Sequence, residues 1–329
     1  MVSKALLRPR SDLSEEPKEQ YETGDIVYQN RPTMCRNCGA IVGAGETACD
    51  QCGTLLVQKP GSVPRQIIRQ DTGPLRLMQT VLARPAKYTL LILFANVGVF
   101  VLMILSGGTE TENVLLAFGA KTNFLIDSGE WWRFVTPIFI HFNFLHIFLN
   151  MYGLWNLGPY VEKIYGSSKF IIFWVVTGIA GVMASYLTVR PEMQIGPLTS
   201  FIFRNRDAVS AGASGALFGL LGVLLVFGIK YRRELPEGFK QALGSGLIPI
   251  ILLNVLIGYA GRRAIDNSAH MGGLISGIIL ALFVDYQRPG HENKQNEMVW
   301  SSLQKIAIGL VLASFVFVAL HFRSYISPI

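Results

Sequence analysis

The sequence predicts an all-α, polytopic membrane protein with seven transmembrane helices and a small cysteine-containing domain ahead of them. The chain has 329 residues, and 50% of them are hydrophobic. These residues form long runs that are almost free of charge, and a run of about 18 or more can cross the ~30 Å hydrocarbon core as a helix. The first 87 residues are polar by contrast and contain all four cysteines.

Seven hydrophobic runs meet or approach the length of a span, and the fifth is the weakest because it is short and contains Gly and Pro. We see no charged start, apolar core and small-residue cleavage site of a signal peptide. The expected spans are roughly Tyr88–Ser106, Phe142–Gly158, Lys169–Thr188, Val209–Ile229, Gly244–Tyr259, Asn267–Val284 and Ser301–His321.

The basic residues predict the orientation of the chain in the membrane. Residues 59–87, just before the first span, contain six Lys or Arg and only Asp71 as an acidic residue, which is typical of the cytoplasmic side. We therefore expect a cytoplasmic N-terminus, an external C-terminus and, without an organelle-targeting segment, a bacterial inner (plasma) membrane. The net charge of +7 is explained by these flanks, and no nucleic acid partner is expected.

The cysteines form two C-x-x-C pairs, Cys35 with Cys38 and Cys49 with Cys52, as in the knuckles of a zinc ribbon. Four thiolates can complete a tetrahedral, structural zinc site, which would stabilise a segment too short for its own core. Paired disulfides would need an oxidising compartment, and a redox C-x-x-C would normally occur once, beside a βαβ pattern. The sequence therefore predicts zinc in a cytoplasmic ribbon.

Five polar side chains within the expected spans require an explanation, because polar groups are costly there. His141, His146 and Asn150 lie in the second span, Ser214 in the fourth and His270 in the sixth. Ser214 lies seven residues past Asp207 and His270 four past Asp266, so at 1.5 Å per residue the two side chains reach similar depths of about 6–10 Å. Three helices would then direct polar groups into one layer near the external surface.

The chemistry of these residues suggests acyl transfer. Ser214 can act as a nucleophile if His270 removes its proton, while His146, the Asn150 amide and the Ser214 backbone N–H can stabilise an oxyanion. We expect a dyad, since no carboxylate lies in the spans to orient His270. Small residues on the fourth and sixth spans would allow close helix packing, with Gly212 and Gly215 leaving room for a substrate beside the serine.

Phe218 lies four residues after Ser214 and can pack on the His270 ring. His141 is expected to be structural and bonded to the first loop, and Glu162 to be a structural partner at the inner end of the second helix.

Together these motifs resemble the rhomboid family of intramembrane proteases. The matching pieces are Trp132-Arg133, the H-x4-H-x3-N pattern of His141 to Asn150, VEKIYG at 161–166, GASG at 212–215 and AHMGG at 269–273. The resemblance covers about residues 88–284 and implies Ser214 as nucleophile, His270 as base, and His146 and Asn150 at the oxyanion. It also implies that Trp132 and Arg133 form a structural membrane-edge loop. Phe218 departs from the family, which often has Tyr at that position.

The sequence as a whole predicts five segments: a flexible tail at 1–30, the zinc ribbon at 31–58, a basic juxtamembrane linker at 59–87, the six-span core at 88–285, and a linker with the seventh helix at 286–329. The resemblance implies a serine endopeptidase that needs no cofactor for catalysis. Its partners would be the lipid bilayer and single-span membrane proteins, cut near the external face after a small residue.

Two other classes of function compete. A receptor or transporter would more often show an ion-pathway carboxylate within a span. A non-catalytic rhomboid-like binder or chaperone would be expected to lack the serine or the histidine. The sequence leaves open the natural substrates, the oligomeric state, and the roles of the zinc ribbon and the seventh helix.

Overall fold

The computed structural model describes residues 32–44, 46–56, 73–193, 195–196, 199–203, 206–261, 265–288 and 294–326. The predicted tail at 1–30 and most of the N-terminal half of the predicted basic linker lie outside these residues. The described residues belong to two compact units, one within residues 1–70 and the other within 71–329. Each unit is described by itself.

The small unit contains two similar knuckles and a short antiparallel pair of strands, β1 (Thr33–Met34) and β2 (Ile41–Val42). In the first knuckle the Cys35 N–H donates to the Ala40 carbonyl, and in the second the Cys49 N–H donates to the Thr54 carbonyl. Gly39 and Gly53 close the two turns with φ of +76° and +66°. Such positive φ values favour glycine, so the sequence itself allows the two C-x-x-C turns.

The large unit is built from helices, and one of them lies where the sequence predicted only a linker. Helix α1 falls inside the segment 59–87, because apolar residues recur there at helical spacing. The helices are α1 (Gly73–Leu82), α2 (Lys87–Leu105), α3 (Glu112–Ala117), α4 (Asn123–Asp127), α5 (Phe144–Tyr165), α6 (Ser167–Leu187), α7 (Thr199–Ile202), α8 (Ser214–Lys230), α9 (Glu237–Lys240), α10 (Leu247–Ala260), α11 (Asn267–Phe283) and α12 (Lys294–Ile326).

Helices α2, α5, α6, α8, α10, α11 and α12 correspond in order to the seven expected spans. Four stretches of the described residues are long and apolar enough to cross a membrane: Met78–Leu105, Ser167–Leu187, Glu237–Ala260 and Lys294–Ile326. Helices α8 and α11 are apolar but have only 17 residues each. That length corresponds to about 25 Å, which is less than the ~30 Å hydrocarbon core.

The fourth span differs from the prediction at its start. The sequence predicted a helix from Val209, but α8 begins at Ser214. The preceding residues cannot be helical, because Ser210 forms an antiparallel bridge with Lys121 and Gly212 has a φ of +137°. The depth of Ser214 is therefore set by a non-helical segment and not by two turns of helix. Irregular backbone of this kind is tolerated at membrane depth when it is buried in protein or lines a cavity.

The fifth span is only weakly embedded in the helical unit. A distorted turn with non-helical backbone at Gly244 precedes α10, and within α10 only Leu247 and Gly258 are buried. The short, Gly-containing run that made this span the weakest prediction thus corresponds to an irregular helix start.

Helix α8 lies at the centre of the helical unit, against α6 and α11. In the contact with α11, glycines of α11 lie directly against the backbone of α8. A Cβ at Gly273 or Gly277 would overlap the carbonyl of Gly215 or Gly219, respectively. The predicted small-residue packing of the fourth and sixth spans is confirmed. Close backbones place short side chains of both helices within reach of each other.

Glu162, near the C-terminal end of α5, joins three helices. Its carboxylate accepts hydrogen bonds from the N–H groups of Tyr88 and Thr89 at 3.0 and 2.8 Å, and from the Thr89 and Ser167 hydroxyls at 2.8 Å. The carboxylate therefore satisfies free N–H groups at the start of α2, and its negative charge interacts favourably with the positive end of that helix dipole. The prediction that Glu162 is a structural partner is confirmed.

Candidate active site

Ser214 and His270 meet where α8 and α11 cross. The His270 Nε2 lies 2.8 Å from the Ser214 Oγ, which is hydrogen-bond distance. The Phe218 ring, one turn after Ser214, stacks on the imidazole with centroids 4.4 Å apart and planes at 13°. A serine hydroxyl bonded to an imidazole that is fixed by packing is the arrangement that general-base activation of a nucleophile requires.

The position of Ser214 at the first residue of α8 provides backbone donors. The first N–H groups of a helix have no partner within the helix, and the positive end of the dipole lies there. An oxyanion forming next to the Ser214 Oγ would be stabilised by these groups. The sequence reasoning had assigned the Ser214 N–H to this role while assuming a helix that began at Val209.

His146 and Ser214 both lie close to Gly212. A Cβ at Gly212 would be 2.8 Å from the Cε1 and Nε2 atoms of His146 and 3.7 Å from the Ser214 Oγ. Gly212 thus leaves the space that the His146 and Ser214 side chains need, and a larger residue at this position would displace one of them. The His146 ring is held by stacking on Phe142, with centroids 5.7 Å apart.

Asn150 lies one turn after His146 on α5 and is buried. Its Nδ2 donates to the His146 carbonyl at 2.8 Å, which leaves a second N–H on the same amide. Asn150 therefore lies on the same helix face as His146, as its spacing predicted. No contact among the described residues joins its amide to Ser214.

Within the described structure, His141 does not form the hydrogen bond to the first loop that the sequence led us to expect. It is fully buried, and neither ring nitrogen forms a hydrogen bond with a described residue, so the expected bond to the first loop is not found. Its ring instead packs edge-on against His146, with centroids 5.0 Å apart. His141 therefore supports the position of His146 through ring packing.

Trp132 and Arg133 are buried in the segment between α4 and α5. The Arg133 guanidinium donates to the Glu130 carboxylate at 2.7 Å and to the Ala120 carbonyl at 2.6 Å. Trp132 stacks on Phe317 of α12, with centroids 5.2 Å apart and planes at 12°. Both residues hold the loop together and contact no member of the Ser214 pair in the described structure.

Sequence reasoning missed Asp266, because it searched for carboxylates only within the spans. Asp266 is the N-cap of α11, one turn before His270, and its side chain accepts the Ala269 N–H at 3.1 Å. The signal in the sequence was the position itself, since an Asp directly before an apolar helix is a strong N-cap candidate.

The four cysteine sulfurs of the small unit form a second candidate site. They lie within 4.8 Å of one another, with the Sγ atoms of Cys35 and Cys52 separated by 3.5 Å and those of Cys38 and Cys49 by 3.6 Å. Tetrahedral zinc with Zn–S bonds of ~2.3 Å requires sulfurs roughly 3.8 Å apart, so the four residues fit a metal ion. These separations are too long for disulfide bonds.

Local hydrogen bonds favour thiolates at two of these cysteines. The hydroxyl and backbone N–H of Thr54 lower the pKa of Cys52 to about 5, and the N–H groups of Asn37 and Cys38 lower the pKa of Cys35. Thiolates are the form that binds metal. Because four sulfurs this close repel one another when ionised, the cluster is suited to a divalent cation.

Comparison with known proteins identifies relatives of the helical unit. The family model described as "Rhomboid domain" matches residues 128–287. The chain is 35% identical to rhomboid protease GluP of Bacillus subtilis over 72% of this chain and 41% of that protein. It is 32% identical to RHOMBOID-like protein 5 of Arabidopsis thaliana, over 62% and 68%.

A more distant relative shows the same match. The chain is 27% identical to rhomboid protease AarA of Providencia stuartii, over 59% of this chain and 71% of that protein. The matched part of the chain thus spans less than half of the length of GluP but about two thirds or more of the other two relatives.

Proposed function

This chain belongs to the rhomboid family, and we propose that it is an intramembrane serine endopeptidase that acts through Ser214 and His270. The observation that carries the proposal is the 2.8 Å contact between the His270 Nε2 and the Ser214 Oγ. The names of several relatives, which include "rhomboid protease", support the same reaction class.

The geometry supports a two-step acyl transfer. His270 Nε2 takes the proton as the Ser214 Oγ attacks the scissile carbonyl, and the resulting oxyanion accepts hydrogen bonds at the start of α8. The imidazolium then protonates the leaving amine, and an acyl-enzyme remains on Ser214. Water, activated by the same imidazole, releases the acyl group and restores the serine. No metal or organic cofactor takes part in these steps.

His146 and Asn150 are proposed as further donors to the oxyanion. The His146 ring and the Ser214 hydroxyl both lie close to Gly212, and Asn150 has one amide N–H beyond its bond to the helix. Each donor of this kind is worth ~3–4 kcal/mol of barrier where it has been measured.

We propose that the substrates are single-span membrane proteins cut near the external face. A helical substrate must unwind before its carbonyl can reach Ser214, and the freed backbone groups need polar partners in lipid. Gly212 and Gly215 flank the serine, so a small side chain just before the cut fits best. Gly or Pro a few residues downstream would lower the cost of unwinding by ~1 or ~3 kcal/mol.

We further propose a multi-pass plasma-membrane location with the small unit in the cytoplasm and zinc as its metal. The basic residues at 59–87 support this orientation, and a reducing cytoplasm keeps the four thiols available as ligands. The zinc would be structural, because four thiolates leave no open coordination position.

The test compares wild-type protein with Ser214→Ala and His270→Ala in proteoliposomes that contain a single-span substrate. Each variant should lose ~10³-fold or more of turnover, because the two residues act as one unit. A fluorophosphonate probe should label the wild-type serine, and Ser214→Ala should not be labelled. Folding is checked by thermal unfolding of each variant.

The rival function is a non-catalytic rhomboid-like binder or chaperone. It predicts no labelling and no cleavage by wild-type protein, together with substrate capture that the two substitutions leave unchanged. Equal turnover by wild-type protein and either variant would also refute the serine-protease mechanism.

A further inference from the structure

Asp266 collects an unusual number of hydrogen bonds for a helix N-cap. Its Oδ1 accepts the Ala269 N–H at 3.1 Å and the Ser268 hydroxyl at 3.0 Å. Its Oδ2 accepts the hydroxyls of Ser185 at 2.5 Å and Ser210 at 2.6 Å. Both oxygens of the carboxylate are therefore occupied, and three of these four donors are serine hydroxyls.

These donors come from three separate segments of the chain. Ser185 lies in α6, Ser210 in the extended segment before α8, and Ser268 in the first turn of α11. Ser185 and Ser268 are only 1% and 2% exposed. Hydrogen bonds to an ionised group are stronger than neutral ones, and more so where water is excluded. The carboxylate is thus a junction between the three segments.

Two of the joined segments deliver the catalytic atoms. Ser210 is four residues before Ser214, and its backbone is fixed on the other side by the bridge to Lys121. Asp266 is four residues before His270, and its carbonyl accepts the His270 N–H at 3.2 Å. The Asp266 side chain therefore links the Ser214 segment to the His270 segment.

An N-cap role alone does not account for this arrangement. Capping requires a single acceptor oxygen, which Ser, Thr or Asn supplies equally well. The second oxygen of Asp266 faces away from its own helix, toward Ser185 and Ser210. Burying part of a carboxylate is costly unless each oxygen is bonded, so these hydroxyls satisfy a group that capping does not need.

We propose that Asp266 is a positioning residue for the reaction: it fixes the start of the His270 helix against the segment that leads to Ser214. This inference rests on the proposed protease function. Asp266 acts on the geometry of the pair and makes no contact with substrate. The hydroxyls of Ser185 and Ser210 take part in this positioning through their hydrogen bonds to Asp266.

The experiment measures the rate constant and the end-point amplitude of fluorophosphonate labelling of Ser214 in the full chain, with kcat and KM for a single-span substrate. The variants are Asp266→Ala, Asp266→Asn, Ser185→Ala and Ser210→Ala. Ser276→Ala is the matched control, since among the described residues this hydroxyl in α11 bonds only to the Gly273 carbonyl of its own helix. The amplitude reports the folded fraction, and the rate constant reports the alignment of the pair.

Asp266→Ala should lower the labelling rate constant and kcat by ~10–100-fold with KM within about twofold, because a misplacement near 1 Å costs about 10²-fold. Asp266→Asn should retain most of the rate, since an amide can still cap α11 and donate to the serine oxygens. Ser185→Ala and Ser210→Ala should each show a smaller loss, and they test the idea even if Asp266→Ala does not fold.

Three results would overturn the inference. The first is a reduced amplitude with a wild-type rate constant in Asp266→Ala, Ser185→Ala and Ser210→Ala, which would mean a purely structural role. The second is an Asp266→Asn variant as slow as Asp266→Ala, which would mean that the charge acts and not the position. The third is an equal loss in Ser276→Ala. Absence of labelling in wild-type protein would instead refute the proposed function itself.

Discussion

Gly181→Ala tests whether the close approach of three helices maintains the candidate active site. A Cβ at Gly181 of α6 would lie 2.8 Å from the carbonyl oxygen of Ala269 and 3.4 Å from the Cα of Gly215. Both neighbours are backbone atoms, so no side chain can rotate away. Ala269 directly precedes His270 and Gly215 directly follows Ser214, so the added methyl group presses on both catalytic segments.

The size of the effect follows from the contact distances. Carbon atoms rest at about 3.5–4.0 Å from their neighbours, so the helices must separate by roughly 0.5 Å or more. Overpacking of this kind costs about 1–3 kcal/mol of stability. Because a 1 Å misplacement costs about 10²-fold in rate, half of that displacement should lower kcat about tenfold.

Two other glycines provide matched controls for this substitution. At Gly98 in α2 and Gly309 in α12, an added Cβ would meet nothing within 4 Å. Alanine there should leave kcat unchanged and raise stability by up to ~1 kcal/mol through helix propensity. Turnover is measured in proteoliposomes and stability by thermal unfolding. If Gly181→Ala matched Gly98→Ala in both measurements, the argument from backbone contact would be wrong.

Three further predictions concern the remaining parts of the molecule. Asn150→Ala should lower kcat by about 10²–10³-fold without abolishing it, since one lost donor costs ~3–4 kcal/mol. A change in KM alone would place Asn150 outside the oxyanion site. Purified protein should contain one zinc per chain, and Cys49→Ser should lower that zinc content. Deletion of the residues up to about 59 should leave turnover intact. Metal analysis that finds no zinc would refute the assignment. Phe317→Ala should lower the free energy of unfolding by ~1–3 kcal/mol. The Phe317 ring pairs with both Trp131 and Trp132, and each aromatic pair is worth ~0.5–1.5 kcal/mol. A variant that unfolds at the wild-type temperature would contradict this prediction.

Most of the helical architecture could be predicted, because hydrophobic length and glycine spacing report directly on membrane spans. The stacking of Phe218 on His270 also followed from the sequence, since positions four apart share a helix face. The start of α8 could not be predicted in the same way. Residues 209–213 are apolar enough for a span, but the bridge between Ser210 and Lys121, a contact distant in sequence, and the positive φ of Gly212 exclude them from the helix.

His141 and Asp266 also have partners that the sequence could not predict. His141 was expected to bond to the first loop, but burial against His146 determines its position. Asp266 was overlooked because it lies outside the apolar run, yet its partners Ser185 and Ser210 come from segments that are far away in sequence. Side chains that join distant segments cannot be paired from spacing alone.

The contacts of α12 have a consequence for the order in which the protein matures. Trp132 and Arg133 are synthesised long before Phe317 and Tyr325, whose rings they contact. The ribosome therefore completes α2 to α11 while the loop that holds these residues still lacks the two rings that α12 provides. A newly made chain would gain these contacts around Trp132 and Arg133 only after α12 has been synthesised.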